Sequence, residues 1–450
     1  MKTPRLFIVL FLVTITTFAQ QDPYLRFAKT FADNYNNQTF GAIHDYTNSA
    51  FQAQVSKDQI VQILTAAFLN SGKINEIKLA DSAVNRRVYN LICERGGYAL
   101  TVSLDEAEKV GGLFIRPLDM PTTSQGVITK WKADKNNAGL VIGRLVNGNP
   151  EIQYMGFANK VKSTAIDGTT IFEIGSISKP MTGLLLQTLI AEKKISLDDP
   201  VNKFLPEGSR LPKVKDKDIL IRHLVTHTSC LPRMPGNFNS TNMSDPYQSY
   251  SEKDLLAFLP RITTGHCEVG TTHLYSNLGA GIVGYVLTKV SGKVYSDLFD
   301  DRIAKPLKTK SLGIDGVSPK WAQGYLANGT PQPQWSFTDA LIGAGGVDAT
   351  ADDLVKLLSF LMKPDQSALG KAVVASTPVL FSKGRDTFGT FWVRQAVGDK
   401  TVIWHNGMTG GYNAFIGWIE GTQTGTFVLS NNGGADVATG LGLMILGEAK

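Results

Sequence analysis

The chain has 450 residues and a formal net charge of +6 at pH 7, so it is too long for one ordinary domain and only mildly basic. Lys2 and Arg5 lie in a segment that we expect to be removed, which leaves +6 less 2, or +4. No run of five basic residues occurs, and no aromatic side chains alternate with a basic stripe, which argues against nucleic-acid binding.

The first twenty residues have the pattern of a signal peptide. Lys2 and Arg5 precede a short apolar run from Leu6 to Ile15, and Thr17-Phe18-Ala19 follows as a small-residue cleavage context. The run is shorter than a membrane-spanning helix and is interrupted by threonines. We therefore expect cleavage of residues 1–20 and a periplasmic or secreted protein with no stable membrane anchor.

Residues 21–117 predict a small α+β domain. A helix is expected to start at Asp22-Pro23, and a second follows the capping box formed by Ser56 and Gln59 and stops at Gly72. Three strand-like runs come next, at 86–93, 98–104 and 110–116. No catalytic set stands out here, so we expect a positioning or binding module.

The stretch 118–137 is rich in turn formers and predicts a linker to a larger domain at 138–450. That domain opens with strand-like runs at 139–146 and 152–158 around Asn147-Gly148, a strong hairpin signal. Further strands are predicted near the end, at 388–395, 401–404, 415–419 and 426–430. Strands at both ends with helices between them favour one antiparallel sheet flanked by helices, an α/β/α sandwich.

Ser176-Ile177-Ser178-Lys179 places a hydroxyl and an amine one helical turn apart. The leucine-rich segment from Met181 to Glu192 predicts a helix, so Ser176 is expected at its start, where the unpaired N–H groups favour negative charge. One turn then supplies a nucleophile, a base and part of an oxyanion site. The four residues alone also fit a capping serine beside a solvated lysine, because so short a motif occurs by chance.

Two further motifs follow in the chain. Tyr275-Ser276-Asn277 precedes an apolar helix, and His405-Asn406-Gly407 follows the apolar run Thr401 to Trp404. Together with Phe172 to Lys179 they resemble, in order, the three elements of class C β-lactamases and of the related serine D-alanyl-D-alanine peptidases and esterases, over roughly residues 125–450. The resemblance implies a serine β-lactamase-like transpeptidase fold. Residues 21–117 are similar in pattern to NTF2-like accessory domains.

The resemblance implies acyl transfer without a cofactor or a metal. Ser176 attacks a carbonyl, Lys179 accepts its proton, and the oxyanion rests on the N–H groups of Ser176 and Met408. An ammonium cannot act as a base, so either Lys179 is partly neutral or Tyr275 shares the proton. We expect Asn277 to contact both Lys179 and a substrate amide.

The remaining residues of the third motif, His405, Asn406 and Gly407, are expected to bind substrate; His405 would hold a substrate carboxylate or tune Tyr275. His405 departs from the Lys-Thr-Gly of true class C β-lactamases and resembles the peptidases and esterases instead. A histidine is mostly uncharged near neutral pH, which weakens carboxylate capture and efficient antibiotic hydrolysis. For Tyr275, Asn277 and His405 the structural alternatives are a packed core tyrosine, a turn asparagine and a surface histidine.

Three functions remain open. The first is hydrolysis of β-lactams, as in antibiotic resistance, or of D-alanyl peptides. The second is an esterase or amidase acting on small acyl substrates, and the third is a penicillin-binding sensor that acylates and stalls. The partner in each case is a small-molecule or peptide acyl substrate, and the sequence does not fix the oligomeric state.

Three cysteines in an exported protein suggest one disulfide and one remaining thiol. Cys230 and Cys267 both lie in loops of the catalytic part, so we hypothesise that they pair, and that Cys93 is a buried thiol. His223 and His227 are four apart, but no carboxylate or cysteine set completes a zinc site, and we expect a buried structural pair.

Overall fold

A computed structural model of the chain describes residues 22–52, 55–118, 121–264, 267–314, 320–384, 386–433 and 436–449. The predicted signal peptide at 1–20 lies outside these residues. Contacts divide the chain into two compact units, one ending at Thr122 and the other beginning at Thr123. Within the described ranges, no helix has the length and apolar character needed to cross a membrane.

The smaller unit packs helices against an antiparallel sheet with the strand order β1-β2-β3-β4. The Asp22 side chain caps the first helix, and the predicted capping box of Ser56 and Gln59 is present at the start of the third. Its elements are α1 (Pro23–Asn36), α2 (Ser49–Gln52), α3 (Lys57–Ser71), β1 (Ile74–Ala83), β2 (Arg86–Cys93), β3 (Gly97–Leu104) and β4 (Val110–Pro117).

The larger unit contains the following helices and strands. The helices are α4 (Ser124–Ala133), α5 (Ser178–Ala191), α6 (Ile221–Val225), α7 (Glu252–Phe258), α8 (Asn277–Ser291), α9 (Tyr295–Phe299), α10 (Lys305–Leu307), α11 (Ile342–Gly345), α12 (Ala351–Met362), α13 (Ala368–Ser376) and α14 (Val437–Glu448). The strands are β5 (Gly139–Val146), β6 (Asn149–Asn159), β7 (Thr164–Ala165), β8 (Ile171–Glu173), β9 (Gly313–Ile314), β10 (Gly324–Tyr325), β11 (Pro331–Gln332), β12 (Val347–Thr350), β13 (Phe381–Lys383), β14 (Asp386–Phe388), β15 (Val393–Val397), β16 (Lys400–Met408), β17 (Asn413–Ile419) and β18 (Gly425–Ser430).

One antiparallel sheet organises this unit, in the order β13-β14-β15-β16-β17-β18-β5-β6-β7. Alternate side chains of its central strands point to opposite faces. Ile142 and Phe415 pack with α4 and α14 on one face, whereas Val141 and Ile416 pack with α5, α8 and α12 on the other. The predicted α/β/α sandwich is therefore confirmed, and its large core lies on the face that carries α5 and α8.

The structure differs from the sequence pattern at several elements. The stretch 118–137, interpreted as a linker, contains helix α4, because Ile128 and Trp131 lie three residues apart and bury against the sheet. The predicted strand 388–395 is two strands, β14 and β15, separated by a turn in which Phe391 has a φ of +62°. The pattern also misses β1, whose side chains are mostly exposed and so show no alternation.

Candidate active site

Ser176 lies in a 3₁₀ turn, Gly175–Ile177, that joins β8 to α5. Gly175 has a φ of +50°, and a Cβ on it would lie 2.8 Å from the backbone N of Met408. Only glycine combines this left-handed conformation with so close an approach. Ser178 Oγ donates to the Gly175 carbonyl at 2.6 Å and accepts from a β12 N–H at 2.9 Å, which fixes the turn. The helix begins at Ser178, so Ser176 precedes it rather than opening it.

Lys179 is the buried partner of Ser176. Its Nζ donates to Ser176 Oγ at 2.9 Å and to the Ala344 carbonyl at 2.7 Å, while its side chain is fully buried. Burial, and secondly the charge of Arg233, hold the pKa of Lys179 well below its usual value of 10.5. The amine can therefore lose its proton far more readily than a solvated lysine, as a base must.

Tyr275 lies against both residues of this pair. Lys179 Nζ is 4.9 Å from the centre of the Tyr275 ring, and the Ser176 side chain is among the neighbours that lower the pKa of the phenol. Burial raises the pKa of Tyr275 to about 12, an effect that the neighbouring Ser176 side chain and the charge of Arg233 partly offset. The phenol consequently keeps its proton at neutral pH and can donate it.

Asn277 begins helix α8 just after this tyrosine. Its Nδ2 donates to Met234 Sδ at 3.3 Å and to the Tyr247 hydroxyl at 3.5 Å, whereas Lys179 donates to Ser176 and Ala344. The expected contact with Lys179 is therefore not made in the described structure. Asn277 Oδ1 is buried and accepts no hydrogen bond from the described residues, so it can accept one from a substrate N–H.

His405 is a buried, neutral residue on β16. Its Nδ1 lies 2.6 Å from the Asn406 carbonyl, which only accepts, so Nδ1 carries the proton. Burial, and secondly the charge of Lys179, lower the pKa of His405 to about 3, and its ring centre is 6.5 Å from that of Tyr275. The alternative of a surface histidine is wrong, and the ring carries no charge with which to hold a carboxylate.

The main chain at the end of β16 lies close against the Ser176 turn. A Cβ on Gly407 would lie 1.8 Å from the Ile174 carbonyl and 2.9 Å from Ser176 N. The backbone nitrogens of Ser176 and Met408 therefore both lie where the end of β16 meets this turn. The Asn406 side chain donates instead to Asp436 at 3.2 Å, at the N-terminus of α14.

Two residues near the site were not among those predicted for it. His227 packs its ring 4.4 Å from that of Tyr275, and its Nδ1 accepts from the Ser276 N–H at 3.1 Å. It lies beyond helix α6 with a φ of +56°, so it does not share a helix face with His223, as a zinc site on one helix would require. The sequence predicted His227 only as one of a buried structural pair, and no motif placed it beside Tyr275.

Arg233 is the second. Its guanidinium carbon lies 5.1 Å from the centre of the Tyr275 ring, and its carbonyl accepts from the N–H groups of Asn277 at 2.9 Å and Leu278 at 3.2 Å. No motif in the sequence marks this arginine. It follows Cys230 by three residues, and the hypothesised Cys230–Cys267 disulfide is confirmed, with Cys93 a buried thiol.

Fold and site together define a serine hydrolase with a lysine beside its serine. The family model described as Beta-lactamase matches residues 125–446, most of the chain. The chain therefore belongs to the beta-lactamase family. Because that match begins at residue 125, the NTF2-like resemblance of residues 21–117 stays a prediction.

Individual relatives are similar at moderate identity. The chain is 26% identical over 282 residues to the D-alanyl-D-alanine-carboxypeptidase/endopeptidase AmpH of Escherichia coli (strain K12), covering 58% of this chain and 70% of that protein. It is 28% identical over 255 residues to the protein named Beta-lactamase of the same strain, covering 56% and 63%. A solved structure described as a class C beta-lactamase matches with a TM-score of 0.64 at 22% identity, covering 73% of this chain and 95% of that one, which shows the fold.

Proposed function

We propose that this protein is an exported hydrolase that cleaves the amide bond of D-alanyl peptides or of β-lactams through an acyl-serine intermediate. The observation that carries the proposal is the 2.9 Å contact between the buried Lys179 amine and Ser176 Oγ. The export part rests on the basic, apolar and small-residue pattern of residues 1–20.

Acylation begins with the neutral Lys179 amine. It takes the Ser176 proton as Oγ bonds to the substrate carbonyl carbon, and the negative charge that develops on the carbonyl oxygen is held by the N–H groups of Ser176 and Met408. The C–N bond then breaks, the leaving nitrogen takes a proton from Lys179 through the Tyr275 phenol, and the acyl group stays on Oγ as an ester. Asn277 Oδ1 accepts a hydrogen bond from the substrate amide.

Deacylation uses the same groups in reverse. Because the pKa of Tyr275 is raised to about 12, the phenol carries its proton at neutral pH and a free phenolate is disfavoured as the base. Lys179 instead accepts the proton of the attacking water, with Tyr275 as the relay between them. Water adds to the ester carbonyl, and Ser176 leaves with a proton.

D-alanyl peptides are the first substrates to test, because AmpH, the relative described above, is named for acting on them. The neutral His405 lacks the charge by which a lysine would hold the carboxylate that D-alanyl peptides and β-lactams both carry. The same neutrality favours the second candidate, an esterase or amidase on small uncharged acyl groups. A stalled penicillin-binding sensor is less well supported, because Ser176, Lys179, Tyr275 and Asn277 are all present.

Mass spectrometry of the protein with a penicillin, a D-alanyl-D-alanine peptide and an acyl ester tests this proposal. The wild type should gain an acyl mass with at least one of them and release the product, and Ser176→Ala should gain none. Ser82→Ala, at an exposed serine of β1, should behave as wild type. An adduct that persists on Ser176→Ala would contradict the mechanism. Turnover of esters alone would favour the esterase. A long-lived penicillin adduct without turnover would favour the penicillin-binding sensor.

A further inference from the structure

The reaction centre itself offers little positive charge to an anionic substrate. Lys179 is buried with its pKa lowered, and His405 and His227 are buried histidines whose pKa values lie below the usual 6.5. The two histidines are therefore poor cations near neutral pH, and the Lys179 amine is already hydrogen-bonded to Ser176 and Ala344. A substrate carboxylate would need another partner, since an unpaired carboxylate loses hydration on entering a cleft.

Arg233 is a cation placed beside this centre. Its side chain is exposed, while its guanidinium lies over the Tyr275 ring at 5.1 Å. An arginine keeps its charge at every working pH, and stacking on an aromatic face leaves the N–H groups at the edge of its plane available. In the described part of the chain, no carboxylate accepts a hydrogen bond from this guanidinium or pairs with it.

The backbone of Arg233 is tied to the second motif. Its carbonyl accepts from the N–H groups of Asn277 and Leu278, and the Pro232 carbonyl before it accepts from Ser276 Oγ at 2.7 Å. The disulfide at Cys230 fixes the same segment to the loop before α8. The guanidinium is consequently carried by a segment whose position relative to Tyr275 and Asn277 is set by these hydrogen bonds and by the disulfide.

We propose that Arg233 is a substrate-binding residue that pairs with a carboxylate of the acyl substrate and so supplies the charge that the third motif lacks. The guanidinium fork matches a carboxylate in two parallel hydrogen bonds. The carboxylate can belong to the leaving group, as at a peptide C-terminus, or to the acyl part, as on an acidic side chain. This inference rests on the proposed function, since the substrate must acylate Ser176.

Matched substrates test the assignment. A D-alanyl-D-alanine peptide is compared with its C-terminal amide, and a glutamyl residue before the D-alanines is compared with glutamine. Arg233→Gln should lower kcat/KM for the carboxylate member of one pair by about ten- to a hundred-fold and change its neutral member less than about two-fold. The pair that loses its preference identifies which carboxylate is bound. Arg233→Lys should recover part of the loss, and Arg210→Gln, at an exposed arginine, should cause none.

All rates are taken on the plateau of each variant's pH profile, so that a change in the pKa of Lys179 does not count as lost binding. An equal fall for charged and neutral members, or an unchanged preference, would overturn the role of Arg233 and leave the proposed function standing. If no peptide turns over, the rate of the Ser176 adduct with a penicillin is compared with that of its neutral methyl ester. Absence of any adduct on Ser176 in the wild type would overturn both proposals.

Discussion

Lys179 shows how burial can prepare an ordinary side chain for the proposed role of a base. In water its amine would be protonated at neutral pH, and the loss of that hydration is the main reason for the lowered pKa. This burial could not be predicted from the sequence, because the motif Ser-x-x-Lys fixes only the spacing of the two side chains. The Ala344 carbonyl, which also accepts a hydrogen bond from the Lys179 amine, belongs to α11, 165 positions further along the chain.

Lys179→Met should lower the rate of Ser176 acylation by about 10²- to 10⁴-fold, because the general base is lost. Methionine is apolar and unbranched, so we expect the free energy of unfolding to change by no more than about 1–2 kcal/mol, the cost of leaving the Ala344 carbonyl unpaired. Adduct formation followed by mass spectrometry, with urea unfolding alongside, measures both. Lys194→Met, at an exposed lysine, is the control; a variant retaining half the wild-type rate would exclude Lys179 as the base.

Glu173 makes the stability depend on pH. Burial raises its pKa from 4.5 to about 7, while its Oε1 accepts from the Trp335 N–H at 2.6 Å. Between these two values the folded state binds more protons than the unfolded state, so this group's contribution to the free energy of unfolding falls as pH rises. Glu173→Gln keeps a side-chain oxygen that can accept from the Trp335 N–H. The substitution should remove this pH-dependent loss in the free energy of unfolding, which is about 3 kcal/mol at most.

Urea unfolding of wild type and Glu173→Gln at intervals from pH 4 to 8 checks this expectation. The difference between the two should grow in favour of the variant up to about pH 7 and then level off. Glu151→Gln, at an exposed glutamate of β6, should follow the wild type throughout. A constant difference across the whole range would show that Glu173 titrates normally.

At the scale of the element, the Cys230–Cys267 disulfide joins the loop after α6 to the loop before α8. Closing a separation of 37 residues is worth about 4 kcal/mol in chain-entropy accounts. Because this segment carries Arg233 against Tyr275, Cys267→Ser should also lower kcat/KM several-fold. Thermal unfolding and turnover measure these effects, with Cys93→Ala in the smaller unit as the control.

The thiol count provides the direct check of this pairing. Protein denatured without reductant should release one titratable thiol per chain, from Cys93, and three after reduction. Three titratable thiols before reduction would show that the protein does not contain this disulfide. Unchanged turnover after reduction would instead show that the disulfide is not needed to hold the geometry of the second motif.

Local signals predicted those elements whose causes are local. The Ser56–Gln59 capping box and the Asn147-Gly148 turn depend on neighbouring residues, and both occur where expected. The break after Phe388 depends on Phe391, whose N–H donates to the Val225 carbonyl from a distant element at 2.8 Å. The neutral state of His405 and the place of Arg233 beside Tyr275 are likewise products of tertiary packing, which no motif encodes.

At the scale of the molecule, every residue predicted for the active site lies in the unit that begins at Thr123. A chain starting there keeps the helices on both faces of the central sheet, including α4, and should fold by itself. We expect it to form the Ser176 adduct at a rate within about three-fold of the full chain, as judged by mass spectrometry and circular dichroism. A folded but inactive truncation would assign the smaller unit a part in acylation rather than in positioning or binding.

The contact between Gly407 and the Ser176 turn limits how this enzyme can be redesigned. A methyl group at Gly407 would collide with the Ile174 carbonyl, so strand β16 would have to move away from the Ser176 turn together with the Met408 N–H, the proposed oxyanion donor. The cleft therefore cannot be reshaped for bulkier acyl groups by substituting Gly407 at this edge. Changes of specificity must come from side chains such as Met408, which is 41% exposed and free of that constraint.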